Sequence, residues 1–290
     1  MSNIRPGTVL KEKIHARRGL MVAGAANALA ARLIQQLGFE AVYLSGAGIT
    51  NTFYGIPDLG FISLADLAQH TAATRDAVDL PIIVDADTGF GNELNVRHTV
   101  RTLERAGANA IQLEDQSMPK KCGHFNDKSV IPAREAASKI KAAVDARQSD
   151  DFLIIARTDA RAMEGFEAAL ERAQMFIDSG ADMTFVEAPV SVEELRRIPQ
   201  VLSVPQLVNV VIGGKTPTLD ASEFAKMGFG LVLYANAALQ GALFGMSAAL
   251  TRLRDTGRLD EDSGLVASFA QRQQLVQKDL FDGLASSYKA

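Results

Sequence analysis

Short runs of Val, Ile, Leu and Ala recur along the chain, separated by longer stretches in which apolar residues return at helical spacing. Eight such runs stand out: Leu20–Ala23, Ala41–Leu44, Pro81–Val84, Ala110–Leu113, Phe152–Ala156, Met183–Val186, Gln206–Val208 and Leu231–Leu233. Short, nearly continuous apolar runs read as parallel strands covered on both faces by crossover helices. The spacing predicts helices over Ala25–Leu37, Leu64–Val78, Asn95–Ala106, Ala133–Ala146 and Phe166–Ser179. Gly38, Gly107, Gly180 and Gly228 each stand just before the next strand, where a helix can end in a left-handed residue.

Eight strand–helix units in series close most simply into an α/β fold of the (β/α)8 TIM barrel type, because repeated right-handed crossovers lead the sheet round to meet itself. An open doubly wound sheet is the rival. It is weakened because Ala23-Gly24-Ala25-Ala26-Asn27-Ala28 has one glycine where a dinucleotide-binding turn needs three. Residues 1–290 therefore read as one barrel domain. Beyond Tyr234 the segment 237–290 holds two further helical stretches, Ala237–Thr256 and Leu265–Leu284, around the polar run Gly257–Gly264, which is more helix than an eighth unit requires.

At 290 residues, 47% hydrophobic and 22% charged, the composition is that of a globular protein and suits a single barrel. A net charge of -4 supplies no basic face for nucleic acid. No apolar run approaches the roughly 20 residues of a membrane span, and Met1–Arg18 lacks the apolar stretch of a signal peptide, so a cytoplasmic location is expected. Cys122 has no partner within the chain, which fits a reducing compartment.

Substrate sites of barrels lie at the C-terminal strand ends, and there the chain places its polar groups. Strand two runs into Ser45 and Gly46, strand three into Asp85 and Asp87, strand four into Glu114 and Asp115. Strand five runs into Arg157 and Asp159, strand six into Glu187, strand seven into Asn209 and strand eight into Asn236. Asp85, Asp87, Glu114 and Glu187 in one mouth would repel one another unless a cation sat among them. Oxygen ligands without a histidine or cysteine cluster favour magnesium, or manganese, over zinc. Asp85 and Asp87, two apart, would face the same way on a continuing strand. Arg157 could grip a substrate carboxylate or pair with Asp159 or Glu187. The long segment Asp115–Ile131 has the length of a lid, and its Lys120-Lys121-Cys122-Gly123-His124 would favour a thiolate beside proton-transfer groups; a solvated basic loop with an incidental thiol is the alternative.

Taken in order, Tyr43-Leu44-Ser45-Gly46, Gly55-Ile56-Pro57-Asp58-Leu59-Gly60, Asp85-Ala86-Asp87-Thr88-Gly89-Phe90-Gly91, Glu114-Asp115-Gln116, the cysteine loop and Ala156-Arg157-Thr158-Asp159-Ala160 resemble the isocitrate lyase and phosphoenolpyruvate mutase superfamily over nearly the whole chain. Within it the motifs look like those of the lyases acting on 2-methylisocitrate or 2,3-dimethylmalate and of carboxyphosphonoenolpyruvate phosphonomutase. The resemblance implies a magnesium site at Asp85 and Asp87, with Asp58 and Glu114 holding its water shell. It implies binding of the keto-acid half by Tyr43, Ser45, Gly46 and Arg157, and acid/base work by Cys122 on a mobile loop beside Lys121, Gly123 and His124. Glu187 and Asn209 match further pocket positions, and the last helix is expected to swap between subunits of a homotetramer. The expected activity is lysis of a 2-hydroxy di- or tricarboxylate to an α-keto acid such as pyruvate plus a carboxylate. The alternatives are phosphonomutase chemistry and hydrolysis or decarboxylation of oxaloacetate. One departure stands out: Asn209 is followed by Val210-Val211-Ile212-Gly213-Gly214, where relatives of the dimethylmalate lyase and phosphonomutase type carry Met-Val-Glu-Gly-Gly. Ile212 in place of glutamate is expected to favour an alkyl substituent on the departing fragment.

Overall fold

The computed structural model of the chain describes residues 5–121, 123 and 128–289. All eight apolar runs form strands: β1 (Leu20–Ala25), β2 (Val42–Leu44), β3 (Ile82–Asp85), β4 (Ala110–Glu114), β5 (Leu153–Thr158), β6 (Met183–Val186), β7 (Gln206–Asn209) and β8 (Leu231–Tyr234). They pair in parallel in chain order, and β8 closes on β1 with Leu20 opposite Leu231. The rival open sheet is thereby excluded.

The two-residue period of the strands sorts their side chains between two cores. Tyr43, Ile83, Leu153, Ile155, Phe185, Leu207 and Leu233 point into the barrel and pack together. Their chain neighbours Val42, Leu44, Ile82, Val84 and Ile154 point outward and pack beneath the helices. The helix Pro6–His15, which the pattern did not foresee, begins on a proline and lays Leu10 and Ile14 against the inner core, so the N-terminal end of the barrel is plugged.

The predicted helices form, with ends set by caps rather than by apolar spacing. The first begins at Ala28, not Ala25, because β1 continues through Ala25 and the Asn27 side chain accepts from the Ala30 N–H. The fourth strand–helix unit starts its helix at Ala133 and ends at Val144. The four glycines that precede strands all take positive φ. The expected single helix Leu265–Leu284 is two, Phe269–Leu275 and Lys278–Ser287, divided at Gln277, whose φ of 58° breaks the helical path. In the long helix Ala237–Thr256 only Ala249 is buried, and Phe244, Leu243 and Leu250 face solvent, as do Phe269, Leu280 and Phe281 beyond it. Among the described residues no helix is long and apolar enough to cross a membrane.

Candidate active site

The inward rows of the barrel do not stop at its apolar layer. Two residues beyond Ile83 lies Asp85, two beyond Ile155 lies Arg157, two beyond Phe185 lies Glu187, and two beyond Leu207 lies Asn209. The alternation that buries the core thus aims these polar groups into the mouth. Tyr43, Ser45, Asp58, Asp85, Glu114, Lys121, Gly123, Arg157, Glu187 and Asn209 line one cavity there, together with Lys120 and Asn236.

Asp85 and Asp87 converge by a different route from the one expected. The strand ends at Asp85, and Asp87 takes a left-handed conformation with φ of 48° instead of continuing the pleat. The turn still brings them together: a Cβ built on Gly46 would lie 3.3 Å from both Asp85 Oδ2 and Asp87 Oδ1. Gly46 therefore leaves a space that two carboxylate oxygens face, and its N–H donates to Asp85 Oδ2 at 3.3 Å. Ser45 caps the following helix Gly46–Tyr54 by accepting from the Gly48 N–H at 3.1 Å. Its hydroxyl proton has no acceptor among the described residues and is available to a ligand.

Lys120 is the first site residue that sequence reasoning left out of the binding set. Its ammonium, 3% exposed, lies 2.7 Å from Asp58 Oδ1 and 2.6 Å from Asp87 Oδ1. A positive charge is thus already held between two of the carboxylates. Burial pushes Asp87 up to about 7 against the pull of Lys120, with Asp85 and Asp58 adding to the rise. Burial also raises Glu114, which Arg157 opposes. The cluster is short of positive charge even with the lysine in place.

Arg157 spends its fork inside the protein: Nε and Nη2 donate to Asp159 at 2.8 and 3.0 Å, and Nη1 lies 3.3 Å from Glu187. The ion-pair alternative for Arg157 is the one found, with both of the partners the sequence offered, Asp159 and Glu187. Against burial, Arg157 and Lys128 hold Asp159 down to about 2. Lys128 also donates to the Gly123 carbonyl oxygen. Gly123 lies against this pair so closely that a Cβ there would come within 2.4 Å of Arg157 Nη2 and 2.6 Å of Glu187 Cγ.

Cys122 and His124 lie outside the described residues, but the neighbours on either side of Cys122, Lys121 and Gly123, both line the cavity. The foot of their loop is tied. Gln116 bonds both the carbonyl oxygen and the N–H of Lys121, at 2.8 and 2.9 Å, and Gln116 bridges antiparallel to Val130. Ile212 is displaced from the role expected of it. Asn209 and Val211 face the cavity, so the intervening and following positions turn away, and Ile212 is 53% exposed on the turn. Asn236 contributes a buried Oδ1 without a partner among the described residues, as does Asn209.

These residues fit a hard divalent ion. Among the described residues no three carboxylate, histidine or cysteine side chains close into a coordination cluster; the fit rests on the oxygens of Asp85 and Asp87 that face one space, the one or two carboxylates that magnesium takes while keeping waters. Glu114 Oε1 is buried and without a partner among the described residues, and so can accept a hydrogen bond from a ligand. Four carboxylates and three cations line the cavity, so a carboxylate ligand would meet a net negative wall without an added cation.

The sequence pattern of the phosphoenolpyruvate phosphomutase family matches residues 10–254. A 2-methylisocitrate lyase of Aeropyrum pernix is 46% identical over 253 residues, 87% of this chain and 81% of that protein. A crystal structure of 2,3-dimethylmalate lyase, described as a PEP mutase/isocitrate lyase superfamily member, superposes with a TM-score of 0.92 at 32% identity, over 99% of this chain and 97% of that one. A phosphonopyruvate hydrolase in complex with oxalate and Mg++ superposes with a TM-score of 0.88 at 27% identity, over 98% and 99%.

Proposed function

The chain belongs to the phosphoenolpyruvate phosphomutase family, in the PEP mutase/isocitrate lyase superfamily, and is a carbon–carbon bond lyase; from that premise we propose that its substrate is a 2-hydroxy di- or tricarboxylate of the 2-alkylmalate or 2-methylisocitrate type. The observation that carries the reading is that Lys120 is held between Asp58 and Asp87 while carboxylate oxygens of Asp87 and Asp85 face one space beside Gly46, at a cavity that Arg157 also lines.

Asp85 and Asp87 would hold magnesium, with Asp58 and Glu114 accepting from its waters. When bound, the ion supplies Lewis-acid charge to the oxygens of the keto-acid half. The chain's own groups do the rest. The Ser45 hydroxyl donates to the ligand carboxylate. Arg157, fixed by Asp159, keeps a permanent positive charge beside it rather than a free fork. Loss of the hydroxyl proton and cleavage of the adjacent C–C bond leave an α-keto acid and a carbanion next to a carboxylate. Cys122 is the group assigned to protonate that carbanion, delivered by a loop whose flanking residues Lys121 and Gly123 reach the cavity, with Lys121 and His124 balancing charge. In 2,3-dimethylmalate this yields pyruvate and propionate.

The exposed apolar faces of Ala237–Thr256 and of the two helices after it are assigned to a neighbouring subunit, by helix exchange within a homotetramer. A cytoplasmic location belongs to the same reading. The test is incubation of the purified protein with magnesium and, in turn, 2,3-dimethylmalate, 2-methylisocitrate, isocitrate, oxaloacetate and phosphonopyruvate, with products identified by NMR. Pyruvate should appear from the alkylmalate or the methylisocitrate and vanish in chelator. Oxalate from oxaloacetate, or phosphoenolpyruvate from phosphonopyruvate, with no lysis of any 2-hydroxy acid, would overturn the proposal.

A further inference from the structure

We propose that Gln112, which the sequence did not single out, is a positioning residue for the metal-binding carboxylate Asp85 and fixes which way the Tyr43 hydroxyl points. The inference rests on the reading of Asp85 as a metal ligand. Gln112 stands on β4 directly opposite Asp85 on β3 and is fully buried inside the barrel. A primary amide there is costly unless both its ends are bonded, and both are. Nε2 donates to Asp85 Oδ1 at 3.2 Å, and Oε1 accepts from the Tyr43 hydroxyl at 2.7 Å.

Proton bookkeeping leaves one arrangement. A carboxylate that binds a cation can only accept, so the NH2 end of the amide must face Asp85. The carbonyl end then faces Tyr43 and can only accept, so Tyr43 must donate its proton to Gln112. Tyr43 lines the cavity. With its proton committed, it offers the ligand a lone pair, and so meets a hydroxyl or a metal-bound water rather than a carboxylate. At the other end, Gln112 is the one side chain hydrogen-bonded to Asp85 among the described residues. The remaining donors are the backbone N–H groups of Gly46 and Asp87, each at 3.3 Å. Removing the amide therefore frees the carboxylate to rotate. Groups that orient a metal ligand in this way typically contribute about 10- to 100-fold to metal affinity.

The test reads metal binding, not turnover: Mn2+ is titrated into the substrate-free protein and free Mn2+ is followed by electron paramagnetic resonance. Gln112→Met, of similar volume and unable to hydrogen-bond, should raise the Mn2+ dissociation constant about 10- to 100-fold. Gln112→Glu, which keeps an acceptor for Tyr43 but sets a second carboxylate against Asp85, is the second variant should the first fail to fold. It should also move the Mn2+ dissociation constant away from the parental value, although Tyr43 keeps its acceptor. In an Asp85→Asn background, adding Gln112→Met should cost nothing further. A folded Gln112 variant with lowered melting temperature but parental Mn2+ affinity would reduce the residue to a packing role and overturn the proposal. Parental affinity in Asp85→Asn itself would instead overturn the metal reading, and the proposal with it.

Discussion

Lys120 shows how much one side chain decides in this mouth. It is held protonated by Asp87, Glu114, Asp85 and Asp58 against the burial that would discharge it. Removing one partner of a buried pair leaves the other charge uncompensated, at a cost of about 3 to 5 kcal/mol. Lys120→Met should therefore lose about 3 kcal/mol of stability in chelator, and magnesium should raise its melting temperature more than it raises the parent's. Equal shifts in calorimetry would mean that lysine and metal do not share the carboxylates. Cys122 belongs at the same scale. Serine keeps its size but holds its proton far more tightly than a thiol of pKa about 8.5. Cys122→Ser should bind oxalate with magnesium and fail to turn over substrate, and parental turnover would remove the acid/base role. The selectivity expected of Ile212 has no structural support. The wall it was to form is made by Val211, Leu233 and Ala235 with the amides of Asn209 and Asn236.

The end of β5 anchors the site as an element. Asp159 fixes Arg157 and receives Lys128 from the far side of the cysteine loop, while Asp115 accepts from Thr158 Oγ and the Asp159 N–H at 2.7 and 2.9 Å. Strand four, its loop and strand five are tied into one unit. Asp159 titrates at about 2 when folded against an ordinary value of 3.8. A depressed folded value stabilises the protein above the unfolded pKa, and that stability is lost as pH falls from about 4 through 2, on the order of 2 kcal/mol in all. Urea unfolding of parent and Asp159→Asn should show a stability gap at pH 5 that narrows by about 1.5 kcal/mol toward pH 2.5, the rest being lost only below pH about 2. A gap independent of pH would show that the carboxylate's charge is not what stabilises the strand end. The loop's other tether is Gln116, the last residue of Glu114-Asp115-Gln116. Its two bonds to Lys121 become visible once the chain has folded back on itself.

At the scale of the molecule, the barrel is complete within the chain but its last helix is not satisfied there. Phe244 is 79% and Leu250 63% exposed on Ala237–Thr256, and apolar faces of this size mark interaction surfaces. Phe244→Asp with Leu250→Asp should lower the sedimentation coefficient if this face carries the proposed subunit contact, while the far-ultraviolet circular dichroism keeps its barrel form. An unchanged coefficient would assign that face to something other than a second copy.

Sequence alone specifies whatever follows a local period. Apolar runs alternating with helical stretches specify eight strands and their order, because each element must bury its own apolar face. The two-residue alternation that sends Ile83, Ile155, Phe185 and Leu207 inward also sends Asp85, Arg157, Glu187 and Asn209 into the mouth. Helix ends were legible at Gly38, Gly107, Gly180 and Gly228, whereas the N-caps Asn27 and Ser45 were not, because each follows directly on a strand. The partners of the charged and polar groups are set by the closed fold. Lys120 meets Asp58 across 62 residues, Gln112 meets Tyr43 across 69, and Lys128 meets Asp159 across 31. Such pairings carry no period, because they arise when the closed barrel brings separate strand ends to one point and burial obliges every charge there to find an opposite. The left-handed turn at Asp87 is of the same kind: no spacing in the sequence announces it, and the surrounding carboxylates, lysine and glycine hold it in place.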